Sequence, residues 1–163
     1  RKKWKANCGP HSIAAALSIS LDEVHAAVPE FRGWMSPTLV RLTLHELRVR
    51  VGLAGRVRVD WLCNGLNFIQ WEGWWLDRDQ PAREAYKHSH WVAHWDGWVL
   101  CTAVNPNTWL DVETWKRRLE AMEMPWHVRA HYRLHRPPSS SGADVPARTG
   151  EQKVLQFSEG LDD

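Results

Sequence analysis

The stretch from Asn7 to Leu17 constrains the fold most, because it joins a helix start to a cysteine. Pro10 suits the first turn of a helix, where its missing N–H is not needed, and the Ala-rich run after it is typical of a helix with a small apolar face. Cys8 is therefore predicted at a helix N-terminus. The partial positive charge there favours a thiolate, and the unpaired N–H groups can stabilise an oxyanion. The simpler alternative is a small buried residue at a helix start.

Length and composition indicate one domain with reduced thiols. A chain of 163 residues can bury a core without disulfides. Three cysteines without CxxC spacing favour a reducing intracellular setting. No apolar run approaches the roughly 20 residues that span a bilayer, and a net charge of +2 gives no argument for nucleic-acid binding. We therefore expect neither a membrane nor a nucleic-acid partner.

The first third of the chain is predicted to be helical. Ser20 and Glu23 have the spacing of a capping box. Ser36 followed by Pro37 is a second helix start, with a cap and then proline at the first position. Together with the helix that begins near Cys8, these signals predict three helices.

The middle of the chain indicates a sheet. Alternating valines and arginines over residues 48–60 predict a half-buried strand, with Gly52 and Gly55 bounding a turn. Residues 64–76 are ambiguous between a helix and an irregular wall. The twelve tryptophans, many of them between Trp61 and Trp126, are expected mostly in the core, with a few lining a cleft. Residues 108–121 are predicted as a helix, and residues 128–134 as a last strand.

The pair Asp96-Gly97 predicts a hairpin between strands 89–95 and 98–104. Because side chains alternate along a strand, His88, His90 and His94 share one face. Counting outward from the turn places His90 opposite Ala103, two residues before Asn105.

Cys8, His90 and Asn105 together provide a nucleophile, a base and a group that orients the base, which is what thiol catalysis needs. We choose His90 because it opens its strand, and His88 is second. A zinc site is an alternative, with these ligands: His88, His90, His94 and Cys101. A zinc site built from these residues would give Cys8 no functional role, so we expect no metal and no cofactor.

This order of residues resembles papain-like cysteine peptidases. The segments 7–17 and 90–106 look closest to the compact C39-like group of that fold. They are also similar to small papain-like hydrolases encoded by bacteriophages, in which "CGP", "IQWEG" and "HWVA" occur together, here at residues 8–10, 69–73 and 90–93. The resemblance implies an α+β fold in which N-terminal helices pack on a small antiparallel Trp-rich sheet, with the site between them.

The resemblance also implies a mechanism. Cys8 attacks an amide carbonyl, His90 moves the proton to the leaving amine, Asn105 orients the ring, and Asn7 with the Cys8 N–H holds the oxyanion. Papain-like enzymes usually carry a Gln shortly before the nucleophile for the oxyanion hole, and here Asn7 or Lys2 would take its role. The small relatives commonly carry an Asp at about the position of Cys101. The expected activity is hydrolysis of a peptide or isopeptide bond, and the sequence does not separate it from acyl transfer to an amine. The rival is a degenerate papain-like fold that serves as a structural or interaction protein, for example in a phage particle.

The composition changes after residue 135. We expect a papain-like domain over residues 1–135 and a Pro/Ser/Gly-rich tail over residues 136–163, in which residues 154–157 are the one apolar island. The expected partners are a peptide or protein substrate and a protein that holds the tail. The expected location is the host-cell cytoplasm or a virion.

Overall fold

The structure, a computed structural model, describes residues 7–30, 33–106 and 108–135, except for the side chains of residues 53 and 54. The tail at 136–163 lies outside the described residues. The helices are α1 Cys8–Leu17, α2 Leu21–Ala27, α3 Pro37–Glu46, α4 Ala82–Lys87 and α5 Val112–Ala121. The strands are β1 Val51–Val59, β2 Gly65–Trp71, β3 Ser89–Trp95, β4 Trp98–Leu100, β5 Leu110–Asp111 and β6 Trp126–Leu134, and a 3-10 turn covers Trp74–Leu76.

The strands form one six-stranded sheet with the order β1-β6-β2-β3-β4-β5. Every neighbouring pair is antiparallel. The chain is thus mixed α+β with an antiparallel sheet, as expected. None of the described helices has the length and apolar character that crossing a bilayer requires.

Each face of the sheet carries its own apolar core. One core joins α1, α2 and α3 to the sheet, and it includes Ile13, Val24, Leu44, Leu66, Trp91 and Tyr132. The other lies under α5, and it includes Ile69, Val92, Cys101, Trp115, Leu119 and Val128. The sheet is therefore the middle layer of three.

The three N-terminal helices form where the caps predict them. The Ser20 side chain accepts from the Glu23 N–H while the Glu23 carboxylate accepts from the Ser20 N–H, which completes a capping box. Ser36 caps α3, and Pro37 occupies its first turn.

Two interpretations of the middle segment are wrong. No turn interrupts β1 at Gly52 and Gly55, because β6 pairs with β1 along its length. The pairing only shifts register between Val51 and Leu53, as at a β-bulge. Residues 65–71 form a strand instead of a helix, since β2 lies inside the sheet between β6 and β3.

The Asp96-Gly97 hairpin is confirmed. Both residues have positive φ, +47° and +88°, and Trp95 pairs with Trp98 as counted. The second strand is shorter than predicted, since β4 ends at Leu100 and the chain turns at once. β5 precedes α5, so that helix begins at Val112 and not at residue 108.

Candidate functional site

Cys8 is the first residue of α1 and is partly buried. A hydrogen bond of 3.0 Å, from the Ser12 Oγ to the Trp91 carbonyl oxygen, ties the first turns of α1 to β3. This tether places the N-terminus of the helix at the beginning of β3. His90, the residue before Trp91, lies at the same end of the sheet.

Gly9 allows a close approach at this helix start. A Cβ atom on Gly9 would lie 2.6 Å from the Met35 Cβ, well inside contact distance. Met35 is itself fixed, because its carbonyl oxygen accepts a 2.9 Å hydrogen bond from the Trp91 indole. The glycine after the cysteine is therefore required by packing.

The Cys8 thiol is not activated by the helix end alone. Burial raises its pKa, and the N–H groups of Trp91, Gly9 and Cys8 itself lower it only in part. The sequence analysis expected the helix N-terminus to dominate and to favour the thiolate. In the structure desolvation is the larger effect, so the resting group at neutral pH is a thiol.

His90 faces a residue that the sequence analysis did not single out. Its Nε2 lies 3.4 Å from the Thr102 Oγ1, and its ring centroid lies 6.0 Å from that of Trp71. Burial lowers the His90 pKa to about 4, with no charged group contributing to the shift. The imidazole is therefore neutral at pH 7 and has a lone pair with which to accept a proton.

Cys8 lies against the backbone of Trp91 and packs against the core on the α1 face of the sheet. Burial raises the pKa of Cys101 to about 11. Cys101 directly precedes Thr102, the partner of His90. Cys8 thus lies by Trp91, the residue after His90. Within the described ranges no hydrogen bond joins Cys8 to His90.

Asn105 is occupied by the loop that contains it. It is buried, and its side-chain Nδ2 donates to the carbonyl oxygens of Val99, at 3.1 Å, and Thr108. Its Oδ1 is buried and has no hydrogen-bond partner among the described residues. The structure does not bring Asn105 into hydrogen-bond contact with His90. It clamps the turn from which Thr102 projects.

Asn7 is the N-cap residue of α1 and is exposed. Its side chain makes no capping bond, while its carbonyl oxygen accepts from the His11 N–H at 3.0 Å. It directly precedes Cys8, and its predicted part in holding an oxyanion stays a prediction. Lys2, the other residue considered for the oxyanion, lies outside the described residues.

The other histidines have separate environments. His88 stacks on Trp75, with ring centroids 3.7 Å apart. His94 Nδ1 lies 3.2 Å from the Cys63 carbonyl oxygen, and its Nε2 accepts from the Gly97 N–H. In the part of the chain that the structure describes, no three His, Cys, Asp or Glu side chains are gathered as metal ligands would be. The zinc alternative therefore has no ligand set there.

Comparisons with known proteins add no relative. No protein-family model, no curated protein and no solved structure matches this chain. The papain-like interpretation therefore depends on the short segments quoted above and on the geometry around Cys8.

Proposed function

We propose that this protein is a papain-like thiol hydrolase that cleaves a peptide or isopeptide amide with Cys8 as nucleophile and His90 as base. The observation that carries the proposal is the position of Cys8. It starts a helix whose first turns are tethered to Trp91, the residue after His90. In this proposal a nucleophile, a base and first-turn N–H donors act together at the beginning of β3.

The resting state defines how the pair would work. Because the Cys8 pKa is raised and the His90 pKa is about 4, both groups are neutral at pH 7. His90 accepts the thiol proton as the sulfur attacks the carbonyl, and it then delivers that proton to the leaving amine. The Cys8 N–H and Asn7 face the oxyanion. Water hydrolyses the acyl-enzyme and restores the thiol.

Acylation of Cys8 tests this proposal. The protein is incubated with a pooled set of acetyl-peptide p-nitrophenyl esters and with matching aminocoumarin amides, and adducts are mapped by mass spectrometry. We expect acylation and slow amide turnover in the wild type and in Cys63→Ala, whose sulfur is far along the chain and buried. Cys8→Ala should abolish both. Acylation that survives in Cys8→Ala, or wild type that never acylates, would reject the proposal.

A non-catalytic interaction protein is the second candidate. The observation that favours it is the exposure of large aromatic side chains: Trp34 is 48% exposed, Trp61 50% and Trp74 60%. Exposed aromatic side chains mark a binding surface where they are contiguous, as Trp34 and Tyr86 are, with ring centroids 6.4 Å apart. A stoichiometric partner in native mass spectrometry that is lost on deletion of residues 136–163, together with an unreactive Cys8, would favour this function over hydrolysis.

A further inference from the structure

We infer that Thr102 is the positioning residue that orients His90, the place that the sequence analysis gave to Asn105. The inference rests on the proposed function, since orientation matters for catalysis only if His90 serves Cys8. Its basis is the 3.4 Å contact between the Thr102 Oγ1 and the His90 Nε2. Such contacts are often long in unliganded sites and shorten when substrate binds.

The backbone aims Thr102 at the ring. β4 ends at Leu100, and the next residues form a turn closed on the Cys101 carbonyl oxygen, which accepts from the N–H of Val104 at 3.0 Å and of Asn105 at 2.8 Å. Asn105 locks this turn through its side-chain bonds to Val99 and Thr108. Asn105 thus acts on the turn, and the turn sets the position of Thr102.

A threonine hydroxyl would fix the tautomer of His90. When the Nε2–H donates to the Thr102 Oγ1, the lone pair lies on Nδ1, which is then the basic nitrogen. A base that must take a proton from Cys8 needs one defined lone pair. The hydroxyl therefore orients the ring as an amide or a carboxylate does in other triads.

Threonine differs from a carboxylate because it carries no charge. A carboxylate beside the ring would stabilise the imidazolium, whereas a hydroxyl does not. Burial raises the pKa of Cys101, the residue before Thr102, to about 11, so that thiol is also uncharged at pH 7. The site is thus built for a neutral pair, and Thr102→Asp should convert it toward an ion pair.

Long-range ¹H–¹⁵N spectra of the imidazole rings test the inference in the full chain at pH 7. We expect a dominant Nε2–H tautomer for His90 in the wild type and in Thr102→Ser. Thr102→Val, which has the same shape without the hydroxyl, should give a tautomer mixture and alkylate Cys8 with iodoacetamide roughly tenfold more slowly. Thr102→Asp should raise the midpoint of the His90 titration.

The matched control is Thr108→Val, in the same loop, because no hydrogen bond of the Thr108 hydroxyl is found in the described part of the chain. This variant should leave both readouts unchanged. An unchanged tautomer in Thr102→Val overturns the inference. A changed tautomer in Thr102→Val, together with a Cys8 alkylation rate that is the same in His90→Ala as in the wild type, would support the Thr102 contact and reject the hydrolase. Failure of the inference and failure of the proposed function are therefore distinguishable.

Discussion

At the scale of single residues, the site is set by desolvation rather than by charge. Burial raises the pKa of the Cys8 thiol and lowers that of His90, so the proposed proton transfer would begin from two neutral groups. Helix N-terminal N–H groups act in the opposite direction on Cys8 without overcoming burial.

The stability of the protein should fall as the pH falls from about 6.5 to about 4. Over this window the unfolded chain binds a proton at His90 that the folded chain excludes, because the folded pKa is about 4 and the ordinary value is 6.5. The loss from His90 is at most about 3 kcal/mol. Urea unfolding at pH 7 and pH 4.5 measures it.

His90→Gln is the comparison for this pH dependence, because burial also lowers the pKa of His94 and His131, which add to the loss in the wild type. The variant should lose less stability than the wild type between the two pH values. Equal losses in both proteins would show that His90 titrates normally in the fold.

Gly9→Ala should destabilise the fold by about 1–3 kcal/mol, because the new Cβ would overlap the Met35 side chain. Gly55→Ala is the matched control, since a Cβ there meets no atom within 4 Å. Its stability should stay within about 0.5 kcal/mol of the wild type. Denaturant unfolding of both variants checks the prediction, and a Gly9→Ala protein as stable as Gly55→Ala would contradict the close approach.

The sequence allowed Cys8 to be placed at a helix start, because Gly-Pro and the alanines after it are local signals. It did not reveal Thr102, because the partner strand was expected to run to residue 104 and Thr102 would then have been an ordinary strand position. The early turn after Leu100 decides which side chain reaches His90, and that turn depends on Asn105 and on the strand β5 that follows.

At the scale of elements, the docking of α1 on β3 assembles the site. Ser12 is fully buried and donates to Trp91, and the Trp95 indole donates to the Ala16 carbonyl oxygen at 3.0 Å. These two bonds fix the helix along the strand. The register that results places Cys8 beside Trp91.

Ser12→Ala should lower stability by about 1–2 kcal/mol and slow the alkylation of Cys8, because the helix loses its polar tether to β3. Thr43→Val is the control, since it removes another buried hydroxyl bond, to the Leu39 carbonyl oxygen within α3. The control should lose similar stability and keep the Cys8 rate. Equal effects of both variants on that rate would mean that the tether does not position the thiol.

Elements with local signals were predicted well, and elements made by distant pairing were not. The capping box at Ser20 and the Asp96-Gly97 hairpin need only their own neighbours. The unbroken β1 and the short strand β5 exist because other strands pair with them, and a single sequence does not show that pairing.

At the scale of the whole molecule, the proposed site draws on three parts of the fold. α1 supplies Cys8, β3 supplies His90, and the loop between β4 and β5 supplies Thr102. Cys8 and His90 are more than eighty residues apart in the sequence, and the docking of α1 on β3 brings their segments together. The papain-like assignment stays a proposal.

The rate of Cys8 alkylation by iodoacetamide across pH 6–10 is the most direct measurement of the central claim, that Cys8 and His90 work as a pair. Cys63 and Cys101 are buried, and burial raises the pKa of each to about 11. We expect Cys8 to react at least about tenfold faster than either, and His90→Ala to slow it below pH 8, whereas the exposed control His45→Ala has no effect. The account would be contradicted if Cys8 reacted no faster than the buried thiols, or if His90→Ala left the Cys8 alkylation rate unchanged.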